Sequence, residues 1–262
     1  MFQRAQRLLV GVIHLPALPG APRFAGDLGK ICDGAARDAE ALAAAGFDGV
    51  IVENFGDAPF LRGAVPPETV AAMAVCCERV RRTTELRLGV NVLRNDGEAA
   101  LAVAAAVGAR FVRVNVLVGA RVTDQGVVQG DAAGLLRARA RMGAGAIGLA
   151  ADVDVKHSVP LGAQPLAPED EAVEAVERAL ADAVIVTGGR TGAEADRAVV
   201  EGVRRAVPTT PVWLGSGARE ETLAAWLAVV DGVIVGSALR ADGRAGGPID
   251  PARARAFAAR RR

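Results

Sequence analysis

Eight short apolar runs, each closed by a polar residue or a glycine, punctuate this 262-residue chain. They lie near residues 8–14, 49–53, 87–91, 110–115, 147–154, 183–187, 211–214 and 232–236. Most are rich in Val and Ile with little alternation, the pattern of strands covered on both faces. Between them lie Ala-, Leu- and charge-rich segments of helical length, so strand and helix alternate along the chain. The segment from Asp33 to Ala45 stops at Gly46, and that from Glu98 to Val107 at Gly108, where glycine takes the left-handed conformation of a helix end. Pro168 with Glu169, Asp170 and Glu171 opens another helix with acidic residues where the dipole favours them. Asp250-Pro251 opens the last.

Eight such units are the count of a closed parallel barrel. A doubly wound sheet also alternates strand and helix, but no GxGxxG follows the first run, and the seventh and eighth runs both end in glycine-serine turns, where barrels often hold phosphate. The expectation is therefore an α/β fold, a single (β/α)8 TIM barrel spanning residues 1–262 as one domain. In such a barrel all eight strand ends meet at one mouth, the usual place of the active site. Three connections on that side exceed a tight turn: Leu15 to Asp27, Phe55 to Pro67, and Leu117 to Asp131. Loops of this kind carry function. The third contains Arg121 to Gln129, which reads as a hairpin turning at Asp124-Gln125-Gly126.

Charge excludes several classes. The 31 basic and 30 acidic residues nearly cancel, so no global field draws the protein to nucleic acid or anionic lipid. No run approaches the roughly 20 apolar residues of a membrane helix, and the stretch Leu8 to Ile13 is short and lacks a signal-peptide cleavage pattern. A cytoplasmic protein with no membrane span and no nucleic-acid partner is expected. Cys32, Cys76 and Cys77 fall in apolar helical segments and read as buried thiols. Apolar outer helices would suit a homo-oligomer.

The mouth collects the chemistry. Period-two alternation puts Asp152, Asp154 and Lys156 on one side of the fifth strand and Val153 and Val155 on the other. Arg113 and Asn115 share a side of the fourth strand, which makes Arg113 the buried partner expected for Asp152. His14 and His157, the only imidazoles, both sit at strand ends and suit general acid or base work. Glu53 directly follows an apolar strand, where a carboxylate is costly unless paired or used. Candidate catalytic residues are thus Glu53, Asp152, Asp154, Lys156 and His14. Asn91, Asn115, Arg113, His157 and Thr187 are candidates for substrate binding, and Asn91 and Asn115 could equally cap strand-end turns. Gly215, Ser216, Gly217, Gly236 and Ser237 offer amides and hydroxyls to a phosphate at expected helix starts. No cofactor is expected. Glu53, Asp152, Asp154 and the histidines leave a divalent cation as the alternative, with no HxH or HExxH spacing behind it.

Several of these segments resemble the BtpA family, also called BtpA/SgcQ. The matching stretches are Gly11-Val-Ile-His-Leu-Pro-Ala-Leu-Pro-Gly20, Val52-Glu-Asn-Phe-Gly-Asp-Ala-Pro-Phe60, Gly89-Val-Asn-Val-Leu-Arg-Asn-Asp96 and Phe111-Val-Arg-Val-Asn115. They continue through Val122 to Gly126, Ala151 to His157, Val186 to Gly192 and Asp231 to Ser237. The resemblance implies a barrel of the ribulose-phosphate-binding kind. It also implies either a sugar or nucleoside enzyme or a role in photosystem I assembly or stability. Together these readings point to an enzyme acting on a small phosphorylated sugar or nucleoside-like metabolite, of isomerase, lyase or nucleosidase type. The alternative is a non-catalytic assembly factor.

Overall fold

The computed structural model describes residues 2–162 and 166–261. Eight parallel strands close a barrel: β1 (Leu8–His14), β2 (Gly49–Glu53), β3 (Arg87–Asn91), β4 (Phe111–Val114), β7 (Gly148–Val153), β9 (Ala183–Val186), β10 (Val212–Leu214) and β11 (Gly232–Val235). Around it run α1 (Leu28–Ala45), α2 (Pro67–Thr83), α3 (Gly97–Val107), α4 (Ala132–Arg141), α5 (Pro168–Val173), α6 (Arg197–Ala206), α7 (Leu223–Leu227) and α8 (Pro251–Ala259). The remaining strands, β5 (Ala120–Thr123), β6 (Gly126–Gln129) and β8 (Ser158–Pro160), form a separate antiparallel sheet in the order β6-β5-β8. The expected hairpin is therefore present, and the segment after β7 adds a third strand to it. No described helix is long and apolar enough to cross a membrane.

Aspartates set the ends of these elements. The side chains of Asp27, Asp96, Asp131, Asp196 and Asp250 each accept a backbone N–H in the first turn of the helix that follows, which fixes the loops feeding those helices. Gly46 and Gly108 end α1 and α3 with φ of 87° and 72°. Helix α1 starts well before Asp33, because Asp27 caps it through the Lys30 amide.

A second set of aspartates sits at the opposite end of the barrel. Asp48, Asp182 and Asp231 each precede a strand of nearly the same sequence: Gly49-Val-Ile-Val52, Ala183-Val-Ile-Val186 and Gly232-Val-Ile-Val235. Each exchanges two hydrogen bonds with one residue of the neighbouring strand. Its amide donates to the carbonyl of Leu9, Leu149 or Val212, and its Oδ2 accepts from the same residue's N–H at 2.7, 2.8 or 3.0 Å. Asp231→Ala is expected to cost about 1–3 kcal/mol, since it strands the buried Val212 amide. Urea unfolding followed by circular dichroism measures it, and a loss below a few tenths of a kcal/mol would show the aspartate to be dispensable.

Period-two alternation divides each of these strands between two cores. The isoleucines Ile51, Ile185 and Ile234 point into the barrel with Val10, Val12, Phe111, Ala150 and Trp213. The flanking valines Val50, Val52, Val184, Val186, Val233 and Val235 pack outward under the helices. Phe111 and Trp213 meet edge to face at 5.6 Å and fill the floor of the barrel, with Phe2 against both from below. Two residues further along each strand the inward positions are His14, Glu53, Arg113, Asp152, Thr187, Gly215 and Gly236. The apolar plug thus ends where a polar layer begins.

Candidate active site

Arg113 and Asp152 anchor the polar layer. The guanidinium donates to both carboxylate oxygens, Nε at 2.8 Å and Nη2 at 2.9 Å, and both side chains are almost fully buried. Asn115 adds a third donor to Asp152 at 2.8 Å, and Asn91 bridges the Arg113 carbonyl and Asn115 Oδ1 at 3.0 and 3.2 Å. Asp152 is thereby saturated with hydrogen bonds, so its place in this network is that of a counter-ion. The Asn91 side-chain oxygen, Oδ1, is buried without a partner among the described residues.

Glu53 is the opposite case. It lies between His14 (Nε2 to Oε1, 3.8 Å) and Arg113 (Nη1 to Oε2, 4.0 Å), beyond hydrogen-bond reach of both. No described group donates a hydrogen bond to it, although it is buried. His14 accepts the Gly246 amide through Nδ1 at 3.1 Å, which assigns its proton to Nε2, on the side of Glu53. Burial first, and then the charges of Arg240, Lys156 and Arg113, hold the His14 pKa well below the ordinary imidazole range. His14 is therefore a neutral donor facing Glu53.

Lys156 completes the group. Its amide donates to Thr187 Oγ1 at 3.1 Å and its carbonyl accepts from Arg94 Nη2 at 2.7 Å, so two neighbours fix its backbone. Burial, and then the Arg113 charge, lower its pKa to about 8, against a smaller upward pull from Glu53 and Asp152. His14, Glu53, Arg113, Asn115 and Lys156 line a cleft of about 850 Å³ at the barrel mouth. His157 lies on its rim, where Nε2 accepts the Thr191 amide at 3.1 Å.

Asp154 departs from the expected arrangement. Strand β7 ends at Val153, and Asp154 takes a left-handed conformation with φ of 48°, which breaks the alternation that would have stacked it with Asp152 and Lys156. Its side chain is about half exposed and bonds to Arg121 at 2.5 Å, outside the cleft. The buried Arg121 also holds Ser158 at 2.6 Å and Glu171 at 3.2 Å, pinning the small antiparallel sheet to the barrel. Asp154 therefore lies away from Glu53 and His14, which are themselves 3.8 Å apart, and among the described residues no three His, Cys, Asp or Glu side chains are grouped to hold a metal ion.

The glycine-serine turns close one flank. Gly215, Ser216, Gly217, Gly236 and Ser237 line a narrow recess that shares His14, Glu53, Arg113 and Lys156 with the main cleft. Gly217 has φ of +81°, and a Cβ there would lie 2.2 Å from the Glu194 backbone. Two expectations are corrected. Ser216 is not free, because its Oγ accepts the Gly188 amide at 2.9 Å and donates to the Ala193 carbonyl at 3.2 Å. Nor does a helix start beside it: α7 begins only at Leu223, and a single 3-10 turn (Ser237–Leu239) follows β11. The recess is thus lined by turns and not by a helix N-terminus, and the Gly215 amide is itself taken by the Val186 carbonyl at 2.8 Å.

Arg94 and Arg240 were not among the candidates, and both are buried at the mouth. Arg240 donates to the carbonyls of Gly236 (2.5 Å) and Val12 (2.7 Å), and burial lowers its pKa to about 10. A signal for the site lay in composition: of the 31 basic residues only Lys30 and Lys156 are lysines. Where arginine serves almost everywhere, a lysine at a strand end stands out, because lysine loses its proton far more readily than arginine.

The fold has many counterparts. A structure described as native KDPGal superposes with a TM-score of 0.59 at 16% identity, covering 100% of this chain and 95% of that one. Phosphoribosyl anthranilate isomerase from Thermus thermophilus gives 0.56 at 14% identity, covering 97% of each. In sequence, the photosystem I biogenesis protein BtpA of a Synechocystis species is 43% identical over 249 residues, 95% of this chain and 86% of that protein. The sequence pattern of the BtpA family matches residues 5–261. The chain therefore belongs to the BtpA family.

Proposed function

We propose that the chain is a cytoplasmic enzyme that moves a proton on a small phosphorylated sugar or nucleoside-like metabolite bound in the barrel mouth. Isomerase chemistry suits the side chains better than the lyase and nucleosidase alternatives. The observation that carries the reading is Glu53, a buried carboxylate free of hydrogen-bond donors, in one cleft with a lysine of pKa about 8. A carboxylate so placed takes a proton from a carbon next to a carbonyl and returns it to the neighbouring carbon. The Lys156 ammonium and the neutral His14 Nε2–H stabilise the negative charge that grows on the carbonyl oxygen. The recess holds the phosphate, with Ser237, Gly236 and Gly217 donating and Lys156 and Arg113 supplying charge. The reaction uses side chains alone.

Isothermal titration with ribose 5-phosphate and with inorganic phosphate tests it. Wild-type protein is expected to bind both, and Ser237→Asp, which places a carboxylate in the recess, to weaken both at least about tenfold. No binding by the wild type, or equal binding by the variant, would overturn the phosphate site.

A second reading follows from the name of the Synechocystis relative: a non-catalytic assembly factor using the barrel as a docking body. It predicts that Glu53→Gln leaves cellular function intact while surface substitutions abolish it.

A further inference from the structure

The main cleft is larger and more apolar than a pentose phosphate needs. At about 850 Å³ it lies toward the upper end of the roughly 300–1,000 Å³ range of small-molecule sites. Its lining combines the charged Arg23, Glu53, Arg94, Arg113, Asp124 and Lys156 with an apolar set, Leu15, Pro16, Phe55, Ala58 and Phe60, that comes from the connections after β1 and β2. A pentose phosphate presents hydroxyls, anionic oxygens and only a small C–H face to such a wall, far less than a planar aromatic ring offers.

The aromatic pair on that wall is selective. The chain has seven phenylalanines and no tyrosine, and only Phe55 and Phe60 line the cleft. Their ring centroids are 6.4 Å apart with the planes at 57°, and Phe55 also lies against the His14 ring at 4.5 Å. Both are half-buried, so each keeps open ring surface.

A buried polar network holds this wall rigid. Asn54 accepts the Leu93 amide at 2.7 Å and donates to Asp57 at 2.9 Å, and Asp57 accepts the Leu18 amide at 2.7 Å. Gly56 donates to the Leu15 carbonyl at 2.9 Å, and a Cβ on it would lie 2.2 Å from the Ala17 nitrogen. Three connections of the mouth are thus locked around Phe55. None of these groups serves the proton transfer at Glu53, so the wall answers to another part of the ligand.

We infer that the Phe55–Phe60 wall is a subsite for a planar aromatic ring, and that the ligand is a pentose 5-phosphate bearing such a ring through nitrogen at C1, for which a nucleoside monophosphate, lacking the sugar carbonyl that the proton transfer needs, serves as a binding probe and not as the substrate. The inference rests on the phosphate recess of the proposed function. The phosphate lies in the glycine-serine recess, the pentose spans Glu53 and Lys156, and the ring stacks on Phe60 and Phe55. Stacking on an aromatic side chain tolerates any base, since every base offers a π face.

Isothermal titration of wild-type protein, Phe60→Ala and Ser237→Asp with AMP, GMP, CMP, UMP, ribose 5-phosphate and adenosine decides it. At least one monophosphate is expected to bind wild type about tenfold more tightly than ribose 5-phosphate. Phe60→Ala should erase that advantage and leave ribose 5-phosphate unchanged. If thermal melting shows that Phe60→Ala does not fold, Phe60→Leu keeps the bulk and removes the π face. Equal affinity of wild type for ribose 5-phosphate and all four nucleotides, or no nucleotide binding, overturns the ring subsite while the phosphate site stands on ribose 5-phosphate alone. Adenosine binding that is lost in Phe60→Ala, with nucleotide binding unaffected by Ser237→Asp, supports the ring subsite and sinks the phosphate reading.

Discussion

Arg113→Ala is expected to destabilise the protein by about 3–5 kcal/mol, the cost of leaving one partner of a buried ion pair uncompensated. Asp152 would keep one side-chain donor, Asn115, in place of three bonds from two side chains. For a chain of this size roughly 2–4 °C of melting temperature goes with each kcal/mol, so a fall of about ten degrees follows. Arg113→Met combined with Asp152→Leu removes both charges and should recover much of the loss, because an apolar pair of similar volume carries no desolvation penalty. Thermal and urea melts of the three proteins measure this. A single variant within 1 kcal/mol of wild type would mean that water reaches the pair.

Lys156 is expected to react with cyanate at half its maximal rate near pH 8, well below the pH at which a lysine in a short reference peptide does. The carbamylated peptides are separated by mass, and with only two lysines in the chain each is its own signal. At pH 7.5 a lysine of pKa about 8 is roughly a quarter unprotonated and an ordinary one roughly a thousandth, so the fraction of reactive amine differs about two hundredfold. The same shift acts on stability. Between pH 8 and 10.5 the unfolded chain holds the Lys156 proton that the folded one has released, so Lys156 contributes a rise in stability with pH, opposed in the upper part of that window by the buried Cys76 and Cys77 thiols, whose pKa is pushed up. The stability of wild type relative to Lys156→Met should therefore rise with pH through that window, since the thiols act equally on both proteins. A pH profile for Lys156 that parallels the reference peptide would show that the cleft leaves it solvated.

Much of this was legible in one dimension. The strand windows coincide with the barrel strands to within about a residue, because parallel strands buried on both faces need uninterrupted Val and Ile. Gly46, Gly108 and Asp250 marked helix ends through local backbone chemistry that depends on no distant partner. Alternation also paired Arg113 with Asp152 correctly, since both lie within regular strands. It failed at Asp154, one residue past the end of β7, where a left-handed turn cancels the period-two rule. Arg94 escaped notice because it lies beyond β3 in a connection, where no period assigns a direction. Its burial comes from the Lys156 carbonyl and from the Leu61 carbonyl that accepts its amide.

The sequence by itself determined the alternation of strand and helix, the closure into eight strands and the identity of the polar layer, because each depends on spacing along the chain and on residue type. Tertiary structure alone decided which members of that layer are free to act. Asp152 is consumed by Arg113 and Asn115, Ser216 by Gly188 and Ala193, and Asp154 by Arg121, while Glu53 is left without a donor beside a neutral histidine. The number of donors aimed at a carboxylate is a property of several strands at once, and those strands lie tens of residues apart in the chain.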